Sequence, residues 1–235
     1  MNYLSVKFDK VFEDVVRAAG RPQETISLLT ADENERVCDL INQSVLEFWE
    51  AGFWPGTFEI EQRTIDSTGK HVLKEADGET AIGLIDPDEC FYEDLPEPGS
   101  LRYVLGMVED RGDRIVCFDD DCPAQPYIRF QVPCPQFTKT DYAAGTTYSK
   151  GDLAYDSDTG ETYQSLADSN IGNAVSDTDS WVKLGFPSIA RTFVKLAASA
   201  EWMSEDDGKY KQSARAMREL ERLEDRWLPR LPVGR

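Results

Sequence analysis

An α+β chain is predicted: a helical bundle built from both chain ends, with an inserted antiparallel β-domain and a small three-stranded β-module. Three observations predict it. Apolar residues recur at three- and four-residue spacing only near the two ends. Between them lie short alternating runs bounded by Gly, Pro and Asp turns. The charge divides the same way, because residues 57–186 hold 26 acids and 10 bases while the two ends together hold 18 and 15. The segments expected are 1–56 and 186–235 for the helices, 57–138 for the inserted β-domain and 139–185 for the module.

The first helix is carried by Phe8, Val11, Phe12, Val15, Val16 and Ala19, one apolar stripe closed by Gly20. Arg21-Pro22 prevents continuation. Thr30-Ala31-Asp32-Glu33 is a capping box, in which hydroxyl and carboxylate satisfy free backbone N–H groups, so a second helix starts there. Val37, Leu40, Ile41, Val45 and Phe48 form its buried side, and it ends near Ala51-Gly52. Strands are expected over Thr57–Gln62, Glu79–Ile85, Leu101–Val108, Arg114–Phe118 and Tyr127–Val132, the last stopped by Pro133. Asp152–Asp156 and Glu161–Ser165 form a hairpin across Ser157-Asp158-Thr159-Gly160, with Ser180–Leu184 as a third strand. Helix resumes at Pro187, through Ile189, Phe193, Leu196, Ala200 and Met203. After Asp206-Asp207-Gly208 a last helix carries Tyr210, Ala214, Met217, Leu220, Leu223 and Trp227.

A hydrophobic share of 40 %, with 11 % aromatic, is enough for a packed core and excludes wholesale disorder. No window approaches the ~18 apolar residues that cross a bilayer, so no membrane partner is expected. Acids interrupt the N-terminal run where a secretory signal would be apolar, and a cytosolic site of synthesis follows. Five cysteines without regular spacing fit reduced thiols. A net charge of −19 argues against wrapping nucleic acid.

Candidate chemistry is sparse. Cys117 and Cys122, with Cys90, Cys134 and His71, offer only one loose pair where structural zinc needs two. Asp119-Asp120-Asp121 lacks the glycine and terminal glutamate of a calcium loop and reads as a solvated turn. No phosphate loop, nucleophile elbow or HExxH occurs. Neither a catalytic residue, a metal site nor a cofactor is expected.

The segment Tyr148-Ser-Lys-Gly151-Asp152-Leu-Ala-Tyr155, then Gly160-Glu-Thr-Tyr163-Gln-Ser and Trp181-Val-Lys-Leu, resembles the small three-stranded chitin- and cellulose-binding modules. The resemblance implies glycan contact through Tyr155, Tyr163 and Trp181. Such modules stack sugar rings on exposed aromatics just after the second strand. Here that place reads Leu166-Ala-Asp-Ser-Asn170, so the three aromatics fit a mini-core better and the module a spacer.

The order of segments resembles the head-to-tail adaptor (connector) proteins of tailed bacteriophages. The residues concerned are Phe12 to Arg21 with the helix of Glu35 to Glu50 and Phe53-Trp54-Pro55, the module running on to Thr178 and Trp181, and Phe186-Pro187 leading into Ala197 to Met203, Asp207-Gly208-Lys209 and the Glu/Arg-rich last helix. The resemblance covers the two ends and residues 142–184, and residues 57–137 depart from the minimal all-helical adaptors. It implies a virion neck protein that joins the portal protein to the next neck or tail protein (stopper or tail tube). It further implies a ring of about twelve copies with two unlike faces per subunit, through which genomic DNA passes unbound. In the tail, Arg226, Trp227, Leu228, Arg230, Leu231 and Arg235 combine aromatic, aliphatic and cationic groups as an interface anchor does, expected to order against the portal.

Overall fold

A computed structural model describes residues 4–51, 54, 57–62, 64, 70–72, 104–110, 113–118, 124–204 and 210–227. The chain is mixed α+β, with helices and several antiparallel sheets. It divides into two compact units. One holds residues 53–134 with the first three residues, and the other holds 4–52 and 135–235.

In the helical unit, β1 (Ser5–Val6) leads into α1 (Phe8–Ala18). The predicted stripe is its buried face: Phe8, Val11, Phe12, Val15 and Val16 are all buried. Gly20 follows at φ +81°, a left-handed conformation that glycine adopts without a Cβ penalty. A 3-10 helix (Gln23–Leu28), not foreseen after Arg21-Pro22, joins it to α2 (Ala31–Glu50). The capping box is formed, with Thr30 Oγ1 accepting from the Glu33 N–H at 3.2 Å and the Glu33 carboxylate accepting from the Thr30 N–H at 2.9 Å. Arg21 reaches Glu33 and lies over the Trp202 ring, tying the start of α2 to the far end of the third helix.

In the other unit, β2 (Phe58–Gln62) pairs antiparallel with β6 (Tyr127–Gln131), Phe58 opposite Gln131. A second sheet has the order β3-β5-β4, from β3 (Lys70–Val72), β4 (Val104–Asp110) and β5 (Asp113–Phe118). Trp54, Ile128, Phe130 and Val132 are buried there. The expected strand at Glu79–Ile85 lies outside the described residues, as do Cys90, Cys122 and Asp119–Asp121.

Back in the helical unit, the module strands are β7 (Leu153–Asp156), β8 (Glu161–Ser165) and β9 (Trp181–Leu184), in that order in one antiparallel sheet. The predicted hairpin turn is present, with the Gly160 N–H donating to the Asp156 carbonyl at 2.8 Å and Gly160 at φ +74°. Pro187 does not start a helix as expected. Phe186–Pro187 is a strand, β10, paired with β1 so that Val6 faces Phe186 and Ser5 faces Pro187. An edge strand tolerates a proline because the missing N–H is not needed, and the φ that suits a helix start suits a strand end equally. A turn over 188–190 follows, and α3 (Arg191–Ser204) begins at Arg191.

α3 packs against α1, α2 and α4 (Tyr210–Trp227). Phe193, Val194, Ala197, Ala198, Ala200 and Met203 are therefore buried on several sides, while Ile189 and Leu196 of the expected stripe are only partly so. Among the α4 residues whose exposure is described, Ser213, Ala216 and Leu220 are buried; of the predicted stripe Leu220 is therefore inside, while Ala214 is partly exposed and Met217 is 44 % exposed. Small residues face the neighbour because they let two backbones approach: Ser213 Oγ donates to the Ala200 carbonyl at 2.9 Å. Stacked and tilted rings of Phe8, Phe137 and Phe186 fill the centre, with centroids 5.0 and 5.1 Å apart. Burying each such side chain contributes about 1.5–3 kcal/mol.

Candidate functional site

The module is seated on α1 rather than hanging from it. The N-cap residue of α1, Lys7, makes no side-chain cap, which leaves the first helical N–H groups to be satisfied from elsewhere. The β7–β8 hairpin supplies the partners. The Phe8 N–H donates to Glu161 Oε2 at 3.4 Å, and the Asp9 N–H donates to the Gly160 carbonyl at 3.1 Å. The Glu161 side chain is nearly buried and is held by Lys183 Nζ at 2.6 Å, an anion placed at the positive end of a helix dipole. A Cβ on Gly160 would stand 2.9 Å from Asp9 Oδ2, so only glycine allows this approach at this φ.

A polar node sits beside that contact. Lys139 Nζ lies 2.5 Å from Asp9 Oδ1, the Tyr155 hydroxyl donates to the same oxygen at 2.6 Å, and Lys139 also donates to Tyr155 at 2.7 Å. Lys139 stands 3.9 Å from the Tyr155 ring centroid as well, so cation–π attraction reinforces the ion pair. Burial, followed by the hydrogen bond to Asp9 and its charge, pushes the Tyr155 hydroxyl well above its ordinary pKa, which keeps it a donor. Across α1, Arg191 holds Asp14 through Nε at 2.9 Å and Nη2 at 2.5 Å. Burial acts to raise that carboxyl, but the Arg191 hydrogen bond and charge, aided by Lys10, outweigh it and the pKa falls.

The expected glycan residues occupy the interior or its margin. Tyr155 is 4 % exposed and faces Asp9, whereas Trp181 is 2 % exposed on the other side of the sheet, where Tyr142 and Tyr148 meet it edge-on. The Trp181 indole N–H donates to the Asn173 carbonyl at 3.0 Å, and Tyr163 packs half-buried against this cluster. The first two therefore form no common ring platform. Of the expected anchor, Arg226 and Trp227 are the last two residues of α4, and Leu228, Arg230, Leu231 and Arg235 lie outside the described residues.

Between the first half of α2 and the module runs a cleft of about 790 Å³. Cys38, Phe137 and Leu153 line it with apolar surface, and Glu35, Asp39, Asp141 and Asp152 line it with carboxylates. Cys38 is buried, which pushes its thiol up to about 12, so the sulfur is a neutral part of the lining and no nucleophile. Among the described residues no group of His, Cys, Asp and Glu is placed to hold a metal, and no helix is long and apolar enough to cross a membrane. Cys38 and Cys134 are in the reduced form, outside any disulfide. Of the other expected zinc candidates, His71 and Cys117 lie in paired strands, with Lys70 opposite Cys117.

No family model matches the chain, and no curated protein is significantly similar to it.

The junction residues Asp9, Lys139 and Glu161 escape a reading of the sequence. Lys139 lies 130 positions from Asp9 and Glu161 lies 153 from Phe8, and each charge looks locally like an ordinary surface one. The one available signal was negative: α1 lacks a capping residue at Lys7.

Proposed function

We propose that this is a head-to-tail adaptor of a tailed bacteriophage, a virion structural protein without catalysis. In this reading it forms a cyclic ring beneath the portal in the neck, connects the capsid to the next neck or tail protein, and lets the genome pass. The finer architecture belongs to the same proposal: a bundle drawn from both chain ends, with residues 57–138 inserted as a β-domain. The single observation that supports it best is the shared interior of the two ends. α3 packs on α1 and α2, and Arg191 closes on Asp14 across 177 positions of sequence. A scaffold made this way keeps its helical body intact while the acid-rich middle of the chain is free to vary. The carboxylates would repel DNA phosphates from a channel wall instead of gripping them. Arg226, Trp227, Leu228, Arg230, Leu231 and Arg235 serve as the partner-contact segment.

The experiment is to mix the purified protein with portal rings and image the product by electron microscopy. A further ring stacked on the portal is expected; folded protein that leaves every portal ring bare would reject the reading. Removing residues 228–235 should lower the amount bound, and unchanged binding would reject their part in it. The glycan reading has less support, because Tyr155 and Trp181 offer a sugar no exposed face.

A further inference from the structure

We propose that the outward stripe of α4 docks on the outward stripe of α2 in a neighbouring copy of this chain. The inference rests on the ring reading above and names the contact between successive subunits. Lysine or arginine recurs at 211, 215, 218 and 222, in steps of four, three and four. Arg215, Arg218 and Arg222 are exposed, Arg215 with 80 % of its side chain in solvent. At about 100° per residue they stand on the side of α4 opposite the buried Ser213, Ala216 and Leu220. The described contacts of the first two stay within the helix: Arg215 reaches Glu219 at 3.7 Å, and Arg218 Nε donates to the Ala214 carbonyl at 3.1 Å. In a chain of net charge −19, a cationic strip is not needed for solubility, which the excess of acids already supplies.

The same chain carries the complement. Asp32, Glu35, Asp39, Glu47 and Glu50 are exposed along α2, on the side opposite its buried Val37, Leu40, Ile41 and Val45. Arg36 is the single base of that helix. Asp32, Glu35 and Asp39 are spaced three and then four apart, as Arg215, Arg218 and Arg222 are. Both helices thus present three like charges over the same rise of ~10.5 Å. Leu46, on the same outward side and 41 % exposed, adds an apolar contact to the acidic stripe.

The two stripes cannot meet within one subunit. α3 packs against both helices, and each turns its buried face inward, so the stripes point away from the core on different flanks. Unlike faces on one subunit make a heterologous contact, the kind that closes rings. Exposed ion pairs are individually weak and screened by salt. A contact built from them holds loosely between two free subunits and tightens when a portal presents many copies side by side.

The test is sedimentation of the full-length protein at about 10 mM and about 150 mM salt, between which the screening length falls from ~30 to ~8 Å. The parent should associate with rising concentration at the lower salt, and at least about tenfold more weakly at the higher. R215E/R218E/R222E and E35K/D39K/E47K should each stay monomeric, because each variant makes its two faces alike in charge. An equal mixture of the two should associate as the parent does. All six positions are exposed, and circular dichroism checks both folds. Recovery in the mixture shows that neither variant fails merely by misfolding. A parent that never associates, association that survives either reversal, or a mixture that stays monomeric overturns the inference. So does binding of duplex DNA that the arginine reversal abolishes in a protein that remains monomeric. Portal imaging separates the two readings: reversed variants that still stack rings on portals leave the adaptor standing and sink this contact, and parent association with bare portals does the reverse.

Discussion

Glu161 does two things at once, capping a helix that begins 153 positions earlier and neutralising Lys183. Replacing it with alanine removes the cap and the partner together, and we expect a loss of about 1–3 kcal/mol in urea unfolding. A change within ~0.5 kcal/mol would show that water satisfies the Phe8 N–H equally well. Asp14 gives the residue scale its pH dependence. Its folded pKa lies below the ordinary value of 3.8, so the stability it adds is present above that value and disappears as pH falls through the folded pKa. The D14N variant should therefore lose stability at neutral pH and show a flatter decline than the parent below about pH 4; parallel curves for the two proteins would refute the Arg191 pair as its source. Contacts like these differ in how readable they are. Thr30 and Glu33 stand three apart and announce their reciprocal cap, whereas nothing near Asp9 points to Tyr155 or Lys139.

At the scale of elements, periodicity found each described α-helix, though not the 3-10 helix at Gln23–Leu28 and not every face. α1 buries one side against a single body of neighbours, so its large apolar residues mark that side. α4 meets α3 through Ser213 and Ala216, and a reading that follows bulk selects Met217 instead. The difference can be measured: A216D should unfold the protein by several kcal/mol through a charge driven into the contact, with M217D costing less than about 1 kcal/mol. Equal effects in thermal melts would restore the predicted face. Strand pairing was legible where a hairpin is local, as in β7 and β8. It was hidden where β1 and β10 pair across the length of the chain, because two-residue strands carry no alternation and a proline after Phe186 resembles a helix start.

For the whole molecule, charge and packing divide the chain differently: the acid-rich stretch runs over 57–186, whereas one compact unit holds 53–134 with residues 1–3 and the other holds 4–52 with 135–235. Residues 135–235, the module among them, share one compact unit with residues 4–52, and the module's contacts to α1 are made by turn atoms that no period reveals. Replacing residues 53–134 by a short Gly/Ser linker should thus leave a protein that keeps its helical circular dichroism and melts in one transition. Loss of that signal would mean that the helices depend on the excised strands.

The cap that Gly160 and Glu161 place on Phe8 and Asp9 also sets a schedule for synthesis. A ribosome releases the first helix early, yet the groups that complete its leading turn emerge only after the acidic middle has been translated. Contacts this distant in sequence form slowly and leave apolar surface uncovered in the meantime. Phe8, Phe12 and Val15 of the nascent chain are thus natural ligands for a chaperone until the hairpin arrives.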